Sequence, residues 1–140
     1  MSETLTKAAA RNIFYGGTVF FFAIFVGLVG HSVSTANAVA ERNPITPSVA
    51  AGKHVWEKHA CIDCHTIMGE GAYYAPELGN VWVRFGGRDD ASGAREALKA
   101  WMRGQPSGIE GRRQMPQFNL SDAELDQLID FLKWTSEVDT

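Results

Sequence analysis

The sequence predicts an all-α protein with two parts, a single N-terminal transmembrane helix and a small helical domain after it. Three observations support this fold class. Residues 13–33 contain no Asp, Glu, Lys or Arg. Residues 48–59, 92–103 and 121–137 carry the capping signals and apolar spacing of helices. Among these helices lies the pentapeptide Cys61-Ile62-Asp63-Cys64-His65, which holds the only two cysteines of the chain.

Length and charge set the broad class of the protein. The chain has 140 residues, enough for one modest domain plus an appendage. Its formal net charge of −3 gives no general basic footprint, so we expect no nucleic-acid partner. Because both cysteines belong to the pentapeptide, none is left for a disulfide or a separate metal cluster.

The apolar segment Ile13–Val33 is long enough to cross a bilayer, because about 20 apolar residues suffice for a helix. The alternative is a cleaved signal peptide, since Ala36-Asn37-Ala38 and Ala38-Val39-Ala40 have the form of cleavage sites. The segment exceeds the apolar core of about 7–15 residues typical of signal peptides, which favours an uncleaved anchor. Lys7 and Arg11 precede it, so the positive-inside rule predicts a cytoplasmic N-terminus.

These patterns divide the chain into three segments. Residues 1–33 form the cytoplasmic N-terminus and the anchor helix, residues 34–46 a polar linker, and residues 47–140 a helical domain outside the cytoplasm. Thr46 and Pro47 predict the start of the first domain helix, because Thr caps helices and Pro is favoured at the first helical position.

The remainder of the domain is predicted to be loops and helices. Residues 66–80 contain three glycines and a proline, which indicates a loop. Residues 81–85 alternate as in a strand, but a lone strand would lack a partner, so a short helix is at least as well supported. Residues 121–124 form a capping box at the start of the last helix. On that helix we expect Asp126 and Asp130 to face water.

The pentapeptide has the spacing by which a c-type haem is attached. Two thiols add to the porphyrin vinyl groups, and the next residue supplies a ligand to the iron. A structural zinc site usually needs four ligands, and this chain has no further cysteines to supply them. A thioredoxin-like dithiol needs a βαβ context, which the flanking sequence does not provide. The sequence therefore predicts one covalent haem c, attached through Cys61 and Cys64, with His65 as the proximal iron ligand.

The second axial ligand is predicted to be Met115. It lies in an extended segment just before the last helix and is followed by a proline. Met68 is too close to the haem motif to reach the opposite face, and Met102 belongs to an apolar helix stripe, where methionine is ordinary core filling. His54 and His59 lie on the helix beside the motif and are expected to be solvated or packed.

Two further predictions concern the haem. Arg84 and Arg88 are candidates to neutralise its propionates through charge-assisted hydrogen bonds, with ordinary surface roles as the equal alternative. Ligation by His and Met fills both axial positions and raises the reduction potential. A filled iron does not readily bind substrate, so the expected role is electron transfer.

The order of helix, haem motif, loop, helix, Met-Pro and closing helix resembles a class I cytochrome c over residues 46–137. At finer grain the chain resembles the membrane-anchored cytochrome c subunits of bacterial nitric oxide reductases. That resemblance rests on residues 61–66, on Gly-Glu-Gly-Ala-Tyr-Tyr-Ala-Pro-Glu-Leu-Gly-Asn-Val at 69–81, and on Arg-Arg-Gln-Met-Pro-Gln-Phe at 112–118.

The resemblance implies an electron-input subunit in a bacterial inner membrane, with a periplasmic haem domain. Such a subunit takes electrons from a periplasmic cytochrome c or cupredoxin. It passes them to haem b of a catalytic subunit, where a haem b3 and non-haem iron centre reduces NO to N2O. The chain alone then carries electrons and does not catalyse. The resemblance also associates Gly71 and Tyr73 with a calcium ion at the subunit interface.

Two other functions remain compatible with the residues themselves. The first is a stand-alone membrane-anchored electron shuttle of a respiratory chain, with the same haem site and anchor but no obligatory partner. The second is a haem-based gas sensor, which would require an open or labile sixth position on the iron and therefore no ligation by Met115.

Overall fold

The structure, a computed structural model, describes residues 5–138. The first four residues of the predicted N-terminal segment and the last two of the predicted domain lie outside this range. Six helical elements and one hairpin follow in order: α1 Lys7–Arg42, α2 Pro47–Lys58, a 3-10 turn Cys61–Asp63, β1 Thr66–Ile67, β2 Glu70–Gly71, α3 Val81–Arg84, α4 Ala91–Arg103 and α5 Asp122–Glu137. The predicted all-α class is confirmed.

The chain divides into two units, with the boundary between Arg42 and Asn43. The first unit contains α1, which has 36 residues, none of them buried, and is long and apolar enough to cross a membrane. Residues 34–42, which the sequence assigned to the linker, continue this helix. Alanines at every second position from 36 to 40 favour helix, and the helix ends just before Asn43, whose helical conformation Pro44 disfavours.

The second unit is built on the packing of α2 against α5. The two helices approach closely at Gly52, where an added Cβ would lie 1.9 Å from the carbonyl oxygen of Gln127. Beside this point the rings of Trp56 and Phe131 pack with centroids 6.2 Å apart. The buried apolar cluster comprises Val49, Val55, Trp56, Val81, Trp82, Ala94, Leu98, Leu128, Ile129, Phe131 and Leu132.

Side-chain caps fix where three helices of this unit begin. The hydroxyl of Thr46 accepts a hydrogen bond from the Val49 amide, as its sequence predicts. Asp90 caps α4 through the amide of Gly93. At α5 the predicted capping box between Ser121 and Glu124 is present in both directions. Each cap satisfies backbone amides that a helix N-terminus otherwise leaves unpaired.

The side chains of Asp126 and Asp130 on α5 are 42% and 30% exposed, and both also form ion pairs that the sequence did not predict. Arg95 of α4 pairs with both Asp126 and Asp130, and Lys99, one turn further on, lies 2.7 Å from Asp126. A hydrogen bond from Lys99, assisted by Arg95, lowers the pKa of Asp126. These ion pairs join α4 to α5, and periodicity alone did not reveal that the two charged stripes would meet.

Candidate haem site

The two cysteines and His65 are brought together by a tight reversal after α2. The helix ends at Lys58, and Ala60 adopts a left-handed conformation with φ of 50°. The chain then makes the 3-10 turn, in which the amide of His65 donates to the carbonyl of Cys61 at 2.9 Å. Both thiols and the imidazole consequently line one cavity.

The thiol of Cys61 is partly buried in this wall. Removal from water raises its pKa to about 11, and the neighbouring Cys64 adds to the effect. The group is therefore a protonated thiol at neutral pH. Thioether formation adds the sulfur and the hydrogen of a thiol across a vinyl double bond, so this form holds both atoms that the addition requires.

His65 is oriented by the loop that follows the motif. Its side chain is only 7% exposed, and its Nδ1 atom lies 2.8 Å from the carbonyl oxygen of Pro76. A carbonyl only accepts hydrogen bonds, so Nδ1 carries the proton and Nε2 keeps a free lone pair. An imidazole held in this way by a carbonyl is the usual arrangement of a metal-ligating histidine.

The loop that supplies Pro76 is itself held against the motif. The amide of Ala75 donates to the carbonyl of Cys64 at 2.8 Å, and the amide of Leu78 donates to that of Thr66 at the same distance. The buried hydroxyl of Thr66 donates to the carbonyl of Ala72. The predicted loop thus has a fixed path, and that path positions His65.

The cavity has the size and the lining that a porphyrin requires. Its main part has a volume of about 640 Å³, within the range of roughly 300–1,000 Å³ for cofactor pockets. A deeper part of about 220 Å³ has almost entirely apolar walls, including Leu98 and Leu128. Cys61, His65 and Met115 line both parts. Two thiols, an imidazole and a thioether are the donor set of a haem c with two axial ligands, so the residues fit that group.

The structure separates the three candidate methionines. Met115 lines both parts of the cavity, whereas Met102 lines only the deeper part and packs against the core. Met68 lines neither part and is 43% exposed at the tip of the hairpin. This arrangement favours Met115 as the second axial ligand.

Two glutamines that the sequence did not single out shape the loop around Met115. The Gln114 amide group donates to the carbonyls of Ile109 and Arg112, and its oxygen accepts from Ser107 and Gly108. Gln117 donates to the carbonyls of Arg103 and Gln105 at 3.0 and 2.9 Å. Their flanking positions in the Arg-Gln-Met-Pro-Gln run were the only signal for this role.

The two arginines predicted to contact the propionates, Arg84 and Arg88, differ in their position relative to the cavity. Arg84 lines the deeper part of the cavity but already pairs with Glu77, through the carboxylate at 3.4 Å and through the backbone carbonyl. Arg88 is exposed and lines neither part. Two arginines that the sequence analysis did not propose, Arg112 and Arg113, line the main part.

Gly71 and Tyr73 are both exposed. Gly71 is the last residue of the hairpin after the haem motif, and Tyr73 follows two positions later. The hairpin pairs Thr66 with Gly71, and its turn residues Met68 and Gly69 both have positive φ. Gly71 has φ of 115°, and Tyr73 is 80% exposed. Within residues 5–138, no group of three or more His, Cys, Asp or Glu is placed to hold a metal ion.

The other domain histidines stay outside the cavity, in line with their predicted roles. His54 is exposed on α2. His59 packs its ring edge against Phe118 at 5.4 Å, and its buried Nε2 lacks a hydrogen-bond partner within the part of the chain described. His65 is the one histidine of residues 5–138 that lines the cavity.

Comparisons with known proteins agree with this geometry. The cytochrome c family model matches residues 49–136. The C subunit of nitric oxide reductase from Paracoccus denitrificans is 57% identical over 141 aligned positions, which span 100% of this chain and 94% of the relative. That of Halomonas halodenitrificans is 55% identical over 140 positions, 99% of this chain and 93% of the relative.

A more distant relative matches only part of the chain. Subunit 2 of cytochrome c oxidase from Alkalihalophilus pseudofirmus is 31% identical over 87 positions, which span 59% of this chain and 24% of the relative. The full-length matches include the N-terminal apolar helix as well as the haem domain. The chain therefore belongs to the cytochrome c family and, within it, to the family of nitric oxide reductase C subunits.

Proposed function

We propose that this chain is the electron-input subunit of a membrane nitric oxide reductase. It takes electrons from a periplasmic cytochrome c or cupredoxin and passes them through haem c to haem b of a catalytic subunit. There a haem b3 and non-haem iron centre reduces NO to N2O. The observation that carries this proposal is the cavity lined by two thiols together with the imidazole of His65 and the thioether of Met115.

Each residue of the site has a separate role. Cys61 and Cys64 would hold the haem through thioether bonds, and His65 and Met115 would supply the two protein ligands to its iron. When bound, the haem supplies one-electron chemistry at a potential that His and Met ligation raises. With His65 and Met115 as its ligands, the iron would leave no position for NO, which supports a role in electron transfer with NO reduced in the partner.

In this proposal the N-terminus is cytoplasmic and the haem domain is periplasmic. Lys7 and Arg11 precede the apolar segment, which supports a cytoplasmic N-terminus and a periplasmic haem domain. A helix of 36 residues is about 54 Å long, more than the hydrocarbon core of about 30 Å requires. Its last turns therefore extend beyond the membrane on the periplasmic side.

Calcium is the second ion in this proposal. Gly71 and Tyr73 would contribute oxygen atoms, the ligand type that calcium prefers, and the catalytic subunit would complete the site. Their exposure on the hairpin side of the motif supports an interface role.

Replacing Met115 tests the iron ligation. In Met115→Ala we expect haem to stay attached and the reduction potential to fall, with loss of the sulfur-to-iron charge-transfer band and new binding of CO by the reduced iron. Met68→Leu, at an exposed position outside the cavity, is the matched control. An unchanged band and potential in Met115→Ala would remove Met115 from this role.

Purification tests the assignment to a reductase. In mild detergent we expect the chain to copurify with a polytopic subunit that contains haem b, and the complex to consume NO. Recovery of a monodisperse single-haem protein, from membranes that consume no NO, would instead support the stand-alone electron shuttle.

A further inference from the structure

The two arginines before Met115 have an unusual position. Arg112 and Arg113 both line the main part of the haem cavity and are exposed to solvent. Tyr73 and Tyr74 line the same part from the loop after the haem motif and are exposed as well. This set of residues is therefore the solvent-facing rim of the cavity.

Arg113 bridges that rim. Its Nη1 donates a hydrogen bond to the carbonyl oxygen of Tyr74, and its guanidinium carbon lies 4.7 Å from the centre of the Tyr74 ring. Tyr74 is two residues before Pro76, which orients His65, and Arg113 is two residues before Met115. One side chain thus joins the loop that supports the proximal ligand to the loop that carries the distal ligand.

Among the described residues, the charged side chains that line the cavity are basic, without acidic ones. No Asp or Glu of residues 5–138 lines either part of it. Arg84 in the deeper part is already paired with Glu77, and Arg88 lies outside. Arg112 and Arg113 form no ion pair with a carboxylate of the described residues, so two uncompensated positive charges border the cavity.

A haem carries two propionates, and burying an unpaired carboxylate is costly. The deeper walls are almost entirely apolar, whereas the rim offers two guanidinium groups. A guanidinium presents five N–H donors in a planar fork that matches a carboxylate. Since Arg113 uses Nη1 for Tyr74, its remaining donors are free for such a contact.

We propose that Arg113, with Arg112 beside it, binds the haem propionates at the rim of the cavity and holds the two ligand-bearing loops together around the porphyrin edge. This inference rests on the haem attachment and iron ligation proposed above. Among the candidate propionate contacts, Arg113 and Arg112 take the place of Arg88 and stand beside Arg84. Arg113 thereby places a positive charge beside a propionate and contributes to the reduction potential.

The test measures the reduction potential against pH in the full-length, haem-loaded protein. Arg113→Gln removes a positive charge at the rim of the cavity and would leave a propionate unpaired, so we expect a lower potential. The pKa of that propionate also rises towards the measured range, and the potential becomes pH-dependent where the unaltered protein shows a plateau. Arg88→Gln, which changes the same residue type outside the cavity, is expected to match the unaltered protein.

Arg113→Lys separates charge from geometry, because Lys keeps the charge and lacks the planar fork. We expect a smaller shift than in Arg113→Gln. If Arg113→Gln fails to retain haem, the Lys variant decides: a displaced potential–pH profile supports the proposal, and an unaltered one overturns it.

A profile in Arg113→Gln that matches the unaltered protein, with Arg84→Gln shifting it instead, also overturns the proposal. The sulfur-to-iron band, recorded in the same samples, reports Met115 ligation separately. Its persistence shows that failure of the Arg113 assignment leaves the proposed iron ligation standing.

Discussion

The helical frame and the cavity loops of the haem domain are built in different ways. The frame, α2 packed on α5, is held by burial, with Leu125 and Ile129 each 2% exposed. The loops at 66–80 and 104–120 consist largely of exposed residues positioned by individual hydrogen bonds. The frame thus depends on the close packing of two helices, whereas each loop depends on a few specific hydrogen bonds.

This difference predicts where a single methyl group does the most damage. Gly52→Ala would place a Cβ 1.9 Å from the Gln127 carbonyl oxygen and 2.8 Å from the Cβ of Phe131. The change normally stabilises a helix by about 0.5–1 kcal/mol. Here the helices must separate, so we expect a loss of at least about 3 kcal/mol in the free energy of unfolding. Urea unfolding followed by circular dichroism measures it.

Ala50→Ser, on the exposed face of the same helix, is the matched control and should stay within about 0.5 kcal/mol. A Gly52→Ala variant as stable as this control would show that the α2–α5 contact tolerates displacement, and the contrast between frame and loops would weaken.

In the loops, a comparable change should act on the site more than on the frame. Gly71 has φ of 115°, and an added Cβ would lie 2.3 Å from the carbonyl oxygen of His65. For Gly71→Ala we expect a loss of more than about 2 kcal/mol, from backbone strain plus displacement of the histidine backbone. Thermal unfolding and the visible spectrum of the haem measure both effects.

Gly69→Ala isolates the backbone term, because Gly69 also has positive φ, at 84°, yet no atom lies within 4 Å of the added Cβ. We expect a loss of about 1 kcal/mol and an unaltered haem spectrum. Equal losses in the two variants would mean that contact with His65 contributes nothing.

The elements predicted correctly from the sequence are those with a periodic apolar pattern or a helix cap. Thr46-Pro47 and the Ser121–Glu124 box located the starts of α2 and α5, because these signals act within one turn of helix. The haem motif identified the cavity wall for the same reason, since Cys61, Cys64 and His65 meet through local chain geometry.

Contacts between segments that are distant in the sequence could not be predicted. Arg113 reaches Tyr74 across 39 positions, and Arg95 reaches Asp130 across 35. Nothing in either local pattern specifies the partner, because the pairing depends on how the loops and helices fold back on one another. Arg84 and Arg88 were predicted from their charge, and only Arg84 lies at the cavity.

The smallest expected effect concerns the charge of Glu124 at the start of α5. Its carboxylate accepts from the amide of Ser121 at 3.0 Å and pairs with Lys58 of α2 at 2.9 Å. These contacts lower its pKa from 4.5 to about 2. A depressed carboxyl pKa stabilises the folded state above the ordinary pKa, and this contribution disappears as pH falls towards about 2.

Glu124→Gln keeps an acceptor for the capping box but removes the charge. We therefore expect the variant to be less stable than the unaltered protein near neutral pH, with the difference shrinking as pH falls from about 4.5 towards 2. Urea unfolding at a series of pH values measures it, with Glu110→Gln at an exposed loop position as the control. The ion pair between Lys58 of α2 and Glu124 of α5 adds a charge-dependent contact to a frame held mainly by burial. A difference that stays constant over this pH range would show that the cap stabilises α5 without its charge.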